Sequence, residues 1–254
     1  MNYKCNKHII SNLNGSSESS NELIMLSEKI AGEEIKIIID WDDTLFPTSF
    51  IIRERPYKIN ESMPWLAPIN LIKNIENISK DIKIVLKYYF VQLANQIKYL
   101  ILNAQRYGEV IIITNSDTGW IKDTCKLMPE LLPVLDTIKI ISSRDKWKNK
   151  SKIPGDWKKF EFEEIIKTFI KSNKNKIIKL ICIGDSNDEH TAILHVASII
   201  NSIVGYTAYT KQFKFKFKSD AIELINQVNK MANILYYNKD KLITNLSSYN
   251  LSLL

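Results

Sequence analysis

Arginine and cysteine are scarce in this chain, and long apolar runs are missing. The three cysteines, Cys5, Cys125 and Cys182, lie far apart and lack the paired spacing of a zinc site. An odd, scattered set builds no disulfide framework and fits a reducing compartment, so a cytoplasmic location is expected, the nucleus remaining open. No stretch approaches the roughly 20 apolar residues that span a bilayer, so no membrane insertion is expected. Met1–Asn14 has no continuous apolar core of the kind a secretory signal carries. Arginine occurs only at Arg53, Arg55, Arg106 and Arg144, so the formal net charge of +7 is almost wholly lysine. Lysine, asparagine and isoleucine are enriched together along the whole chain, which is a compositional bias and not a basic patch. No nucleic-acid partner is expected from it, although a basic surface would help to attract a phosphorylated one. Neither an internal repeat nor an interdomain linker is visible.

The remaining composition, 45% hydrophobic and 25% charged over 254 residues, is that of a globular chain able to bury a sizeable core. Residues 1–30 are expected to form a flexible Ser/Asn-rich extension with a short amphipathic helix at Glu22–Ile30, and residues 31–254 a single domain. Ile35–Ile39 is a dense β-branched run that stops abruptly at acidic residues, the pattern of a buried strand. Further strands are expected at Val110–Thr114, Ile138–Ile141, Lys179–Ile183 and Phe213–Phe217. Helical periodicity lies between them. It is clearest from Ile84 to Arg106, where Leu86, Phe90, Leu93, Ile97, Leu100 and Ala104 recur three and four apart before Gly108. Other helices are expected at Trp120–Leu127, Trp157–Lys171, Glu189–Ser198 and Asp220–Leu235. Alternating strands and helices predict an α/β fold, with a central, mainly parallel five-stranded sheet covered by helices on both faces. The first strand should be central, flanked by the second and fourth, with the third and fifth outside them.

In such sheets reactive groups collect beyond the C-terminal ends of the strands. The first strand ends in Asp40-Trp41-Asp42-Asp43-Thr44, the second in Thr114-Asn115-Ser116, and the fourth in Gly184-Asp185-Ser186-Asn187-Asp188-Glu189. Lys158 starts the helix between the third and fourth strands. Right-handed crossovers bring the three strand ends to one edge.

This ordered set resembles the four-part signature of the haloacid dehalogenase (HAD) superfamily, and the match covers roughly Ile35 to Leu235. The strings Asp-Trp-Asp-Asp-Thr-Leu-Phe-Pro, Thr-Asn-Ser-x-x-Gly-Trp and Ile-Ser-Ser-Arg look like a eukaryotic branch of it, in which a Trp-Lys pair selects Lys158 over Lys159. The resemblance implies a Rossmann-like fold and a magnesium-dependent phosphatase acting through an aspartyl-phosphate. Asp40 would be the nucleophile and Asp42 the general acid and base. Mg²⁺ would be held by Asp40, the backbone carbonyl of Asp42, and Asp185. Lys158 would neutralise charge on Asp40 and the phosphoryl group, while Thr114 and the amide of Asn115 would bind its oxygens. Thr44 would brace the loop after the first strand. The family usually places Asp where this chain has Glu189, four residues after Asp185; Glu189 takes that supporting role here, with Asp188 one residue short of it.

Asp42 argues for phosphoryl chemistry, because the dehalogenases of the superfamily lack an acid at that position. A phosphoryl transferase of the same fold and a catalytically silent scaffold stay open as alternatives, and the phosphorylated substrate is unidentified. Residues 46–79 leave room for a flap and one short helix, around Pro68–Ile78. Ser142–Asp156 reads as a loop carrying Arg144, Lys146, Lys148, Lys150 and Lys152. No large cap is expected, and an open site with that basic rim would suit a bulky acidic substrate. Asp43 is expected to be solvated or to cap a helix, His190 and His195 to lie on helix surfaces, and Cys182 to sit in the core. Trp41 and Trp157 should pack around the site. The alternating Phe213, Phe215, Phe217 and Lys214, Lys216, Lys218 fit an edge strand whose lysines block edge-to-edge pairing.

Overall fold

A computed structural model describes residues 34–54, 80–172, 177–237 and 249–250. The expected N-terminal extension with its helix, and the expected helix at Pro68–Ile78, lie outside the described residues.

The strands are β1 (Glu34–Ile39), β2 (Glu109–Thr114), β3 (Lys139–Ser142), β4 (Ile177–Gly184) and β5 (Thr207–Lys214), with a two-residue β6 at Tyr249–Asn250. They form one parallel sheet in the order β3-β2-β1-β4-β5-β6. The five principal strands stand in the order expected from the sequence, and β1 is flanked by β2 and β4. The sixth strand was not anticipated.

The helices are α1 (Thr48–Glu54), α2 (Lys80–Gln105), α3 (Trp120–Thr124), α4 (Leu132–Leu135), α5 (Ser143–Trp147), α6 (Pro154–Ser172), α7 (Asn187–Asn201) and α8 (Ala221–Tyr237). None among the described residues is long and apolar enough to cross a membrane.

Strand alternation explains the apolar runs, which Lys36 in β1 and Lys179 in β4 interrupt. Ile35, Ile37 and Ile39 of β1, Val110 and Ile112 of β2, and Ile181 and Ile183 of β4 face one way, into a core shared with α2 and α8. Ile38, Ile111, Ile113, Leu180 and Cys182 face the other way, against α6 and α7. Both faces are covered, so most positions in these strands are apolar. Each fully buried isoleucine contributes about 1.5–3 kcal/mol relative to exposure. The six residues expected on the buried stripe of α2 are all buried. At its end Gly108 meets the sheet so closely that a Cβ would fall 2.0 Å from the Ile35 carbonyl oxygen.

Two expectations are corrected. The fifth strand is Thr207–Lys214 and not Phe213–Phe217. Its partner β4 ends at Gly184, opposite Lys214, and the ladder stops there apart from Phe215, whose N–H donates to the Gly184 carbonyl at 2.8 Å. Phe213 and Phe215 are buried, whereas Phe217 is exposed and Lys211 is buried. Nor is β5 wholly an edge, since Phe213 and Lys214 pair with β6. The second correction concerns Ser142–Asp156, which holds α5 and the start of α6. Ser142 caps α5 by accepting from the Asp145 N–H at 3.1 Å.

Candidate active site

The backbone continues the sheet one residue past β1: the Asp40 N–H donates to the Ile183 carbonyl at 2.9 Å. This fixes Asp40 beside the end of β4, where Gly184 and Asp185 follow. The chain then folds tightly from Trp41 to Phe46, with the N–H groups of Leu45 and Phe46 donating to the Trp41 carbonyl at 2.8 and 2.9 Å. Aromatic packing anchors that turn. Trp41 stacks on Phe46, Phe46 on Phe90 of α2, and Trp120 of α3 meets Phe46 edge-on. The Trp41 indole also donates to Thr124 Oγ1 at 3.1 Å, so Trp41 is a structural member of the loop. Asp43, with φ of 57°, accepts from the Ser49 N–H at 2.7 Å and caps α1.

Asp40, Lys158 and Glu189 form a buried line. Lys158 Nζ donates to Asp40 Oδ1 at 2.5 Å and also contacts Glu189 Oε1. Thr44 Oγ1 reaches Asp40 Oδ2 at 3.3 Å. The last acidic contact therefore comes from Glu189 and not Asp188. The other Glu189 oxygen accepts from the Ser186 N–H at 3.1 Å, completing a capping box at the start of α7, so one carboxylate serves the helix end and the lysine together. Burial opposes the charge on Lys158, but Asp40 and Glu189 outweigh it and hold the ammonium firmly protonated. Burial would likewise raise the Glu189 pKa, yet Lys158 and Ser186 bring it below the ordinary value. Asp40 carries the excess: burial, with Glu189, Asp42 and Asp185 nearby, pushes its carboxyl well up despite Lys158. Asp185 is pushed up to about 7, by burial first and then by Glu189 and Asp43.

Asp42 is treated differently. Its Oδ1 accepts from Thr48 Oγ1 at 2.6 Å and Trp120 Nε1 at 2.7 Å, and its Oδ2 from Thr114 Oγ1 at 2.9 Å and Ser116 Oγ at 2.8 Å. Thr114 is thus committed to Asp42. The Asn115 side chain is committed to the scaffold, donating to the Pro154 carbonyl at 3.2 Å and accepting from Ser143 Oγ at 2.6 Å. Thr48, Ser116 and Trp120 were given no role from the sequence. Each lies inside or beside a string that carried the resemblance, yet only the fold brings them to Asp42.

The expected magnesium ligands can be tested against these surroundings. Among the described residues no group of three or more His, Cys, Asp or Glu side chains converges as a metal cage. The expected set needs only two carboxylates, Asp40 and Asp185, plus a backbone carbonyl. Burial first, and then neighbouring carboxylates, raises the pKa values of both, as burial also does for Asp43 and Asp188 nearby; a divalent cation beside Asp40 and Asp185 would relieve that penalty, and so the donor set fits a hard cation.

Other side chains are accounted for locally. His190 Nδ1 contacts Gln212 Oε1, and His195 Nε2 lies 3.0 Å from Glu163. Trp157 Nε1 donates to the Ser151 carbonyl at 2.8 Å. The anticipated basic rim is largely engaged. Arg144 pairs with Asp117, Lys146 with Glu161 and Glu164, and Lys148 with Asp145, while Lys150 lies over the Trp147 and Phe160 rings.

Comparison with protein-family models, curated proteins and solved structures returns no match. The resemblance to the HAD superfamily rests on the residues themselves.

Proposed function

We propose that the protein is a magnesium-dependent phosphomonoesterase of the HAD type, working through an aspartyl-phosphate on Asp40 in the cytoplasm or nucleus. One observation carries this reading: two carboxylates two residues apart have opposite surroundings. Asp40 sits on the sheet against a buried ammonium. Asp42 sits on the following turn, held by four neutral donors. That is the separation a nucleophile and a proton carrier require.

In the first half-reaction an Asp40 oxygen attacks phosphorus. The bond to the ester oxygen breaks with its electron pair staying on that oxygen, which takes a proton from Asp42. In the second, water attacks the phosphorus and passes a proton to Asp42. The phosphorus–Asp40 bond then breaks, restoring the carboxylate and releasing inorganic phosphate. Lys158 neutralises charge on Asp40 and, with the backbone N–H of Asn115, would take the phosphoryl oxygens; Glu189 keeps Lys158 in line. Mg²⁺ held by Asp40, Asp185 and the Asp42 carbonyl would supply further neutralisation of the phosphoryl group. The substrate class is a phosphomonoester. With most of the rim cations paired with carboxylates or rings of the same chain, they lend no support to a preference for acidic macromolecules.

Intact-mass spectrometry tests the reading. Asp42→Asn incubated with p-nitrophenyl phosphate and Mg²⁺ should gain a phosphoryl adduct, because an activated leaving group needs little acid help while hydrolysis of the adduct lacks its base. The adduct should vanish when Asp40→Asn is added. If the wild type turns over no activated phosphoester and no variant carries an adduct, a silent scaffold replaces the enzyme.

A further inference from the structure

The four donors around Asp42 are not equivalent. Three are hydroxyls, from Thr48, Thr114 and Ser116, which can rotate and accept a hydrogen bond instead. The fourth is the Trp120 indole N–H, 2.7 Å from Oδ1, which can only donate. The ring cannot easily turn away, since Trp120 packs edge-on against Phe46 with centroids 6.1 Å apart and begins α3.

We infer that Trp120 is a positioning residue, which keeps Asp42 Oδ1 an acceptor and so makes Oδ2 the oxygen that carries and delivers the proton. This rests on the phosphomonoesterase reading and adds to it a direction for proton transfer. When Asp42 is protonated, the proton sits on Oδ2 and Ser116 Oγ turns to accept it. As the bond from phosphorus to the ester oxygen breaks, that proton moves from Oδ2 to the departing oxygen, which keeps the bonding pair. Asp42 is left as a carboxylate and Ser116 turns back to donate. Without the indole N–H both oxygens can hold the proton and the carboxyl can rotate, so acid delivery falters most where the leaving group needs it most.

Trp120→Phe keeps an aromatic ring against Phe46 and removes the donor. The test measures kcat/KM, which reports the first half-reaction, over aryl and alkyl phosphates of graded leaving-group pKa. The loss in Trp120→Phe should be at most a few-fold for p-nitrophenyl phosphate. It should reach about ten- to a hundredfold for alkyl phosphates, the range expected when a hydrogen bond to a charged catalytic group is removed. In ¹⁵N-indole spectra the signal lost in Trp120→Phe should be the one displaced most by Asp42→Asn in the otherwise wild-type protein, while the other four indole signals of Trp120→Phe stay in place and show that it is folded. An equal loss for every leaving group, or an indole signal indifferent to Asp42→Asn, overturns the inference and leaves the phosphomonoesterase reading standing. A wild type inert toward every phosphoester in the series sinks that reading, and this inference with it.

Discussion

A Cβ at position 184 would fall 2.7 Å from Glu189 Cγ and 2.8 Å from Glu189 Oε2, so the carboxylate fills the space that Gly184 leaves empty. Gly184→Ala must push Glu189 away from Lys158 and from its cap on Ser186. A loss of about 1–3 kcal/mol in urea unfolding is expected, the usual cost of overpacking. Combining it with Glu189→Asp, whose carboxylate is one methylene shorter, should recover part of that loss. If Gly184→Ala unfolds at the wild-type urea concentration, the Glu189 side chain yields to the added methyl without cost and the contact does not constrain it.

Lys158 is the only cation in contact with Asp40 and Glu189 among the described residues. Lys158→Met leaves two buried carboxylates facing each other without it. Breaking a buried pair on one side costs about 3–5 kcal/mol. Glu189→Gln should cost less, because Lys158 keeps Asp40 as its partner. Equal destabilisation by the two substitutions would contradict this ordering.

The raised acids set a pH dependence. Asp185 titrates near 7 in the folded chain and near the ordinary carboxylate value, about 3.9, when unfolded, and the Asp40 pKa is also raised. Between these values the folded chain holds more protons than the unfolded one, so stability falls as pH rises. The favourable contribution is complete below about pH 4 and is lost as pH passes through 7. Magnesium should reverse the trend by replacing those protons. The melting temperature should therefore rise more with Mg²⁺ at pH 8 than at pH 5.5, and Asp185→Ala should abolish the rise. A Mg²⁺-induced shift that is absent, or is equal at both pH values, would count against metal binding here.

Much of the fold could be read from the chain because its signals are local. The run Ile35–Ile39 and the stripe from Leu86 to Ala104 announce a strand buried on both faces and a helix buried on one. The Phe/Lys alternation misled for a physical reason. A period of two shows that residues could form a strand but not where a neighbouring strand supplies partners, and β4 supplies none beyond Gly184. The short α5 carried a legible start, Ser142 with Asp145 three residues on, beneath a basic composition that read as loop. At the site, the acids, Thr114 and Lys158 stood in recognisable order. Of the four donors to Asp42, Thr48, Ser116 and Trp120 did not, since nothing in the chain marks them as its partners, and Ser116 and Trp120 lie 74 and 78 residues away from it in sequence.

Because the Asp40 amide is hydrogen-bonded into the ladder with Ile183, the proposed nucleophile is tied to the central strand pair β1–β4. Asp42 hangs instead from a turn tied to α1, α3 and the end of β2. In the proposed reaction the expected place for any adjustment is the acid–base side, with the attacking group as a fixed origin. Native-state hydrogen exchange would record this as two clocks. The Asp40 amide should exchange only through global unfolding, while the turn beyond it opens on a faster schedule of its own.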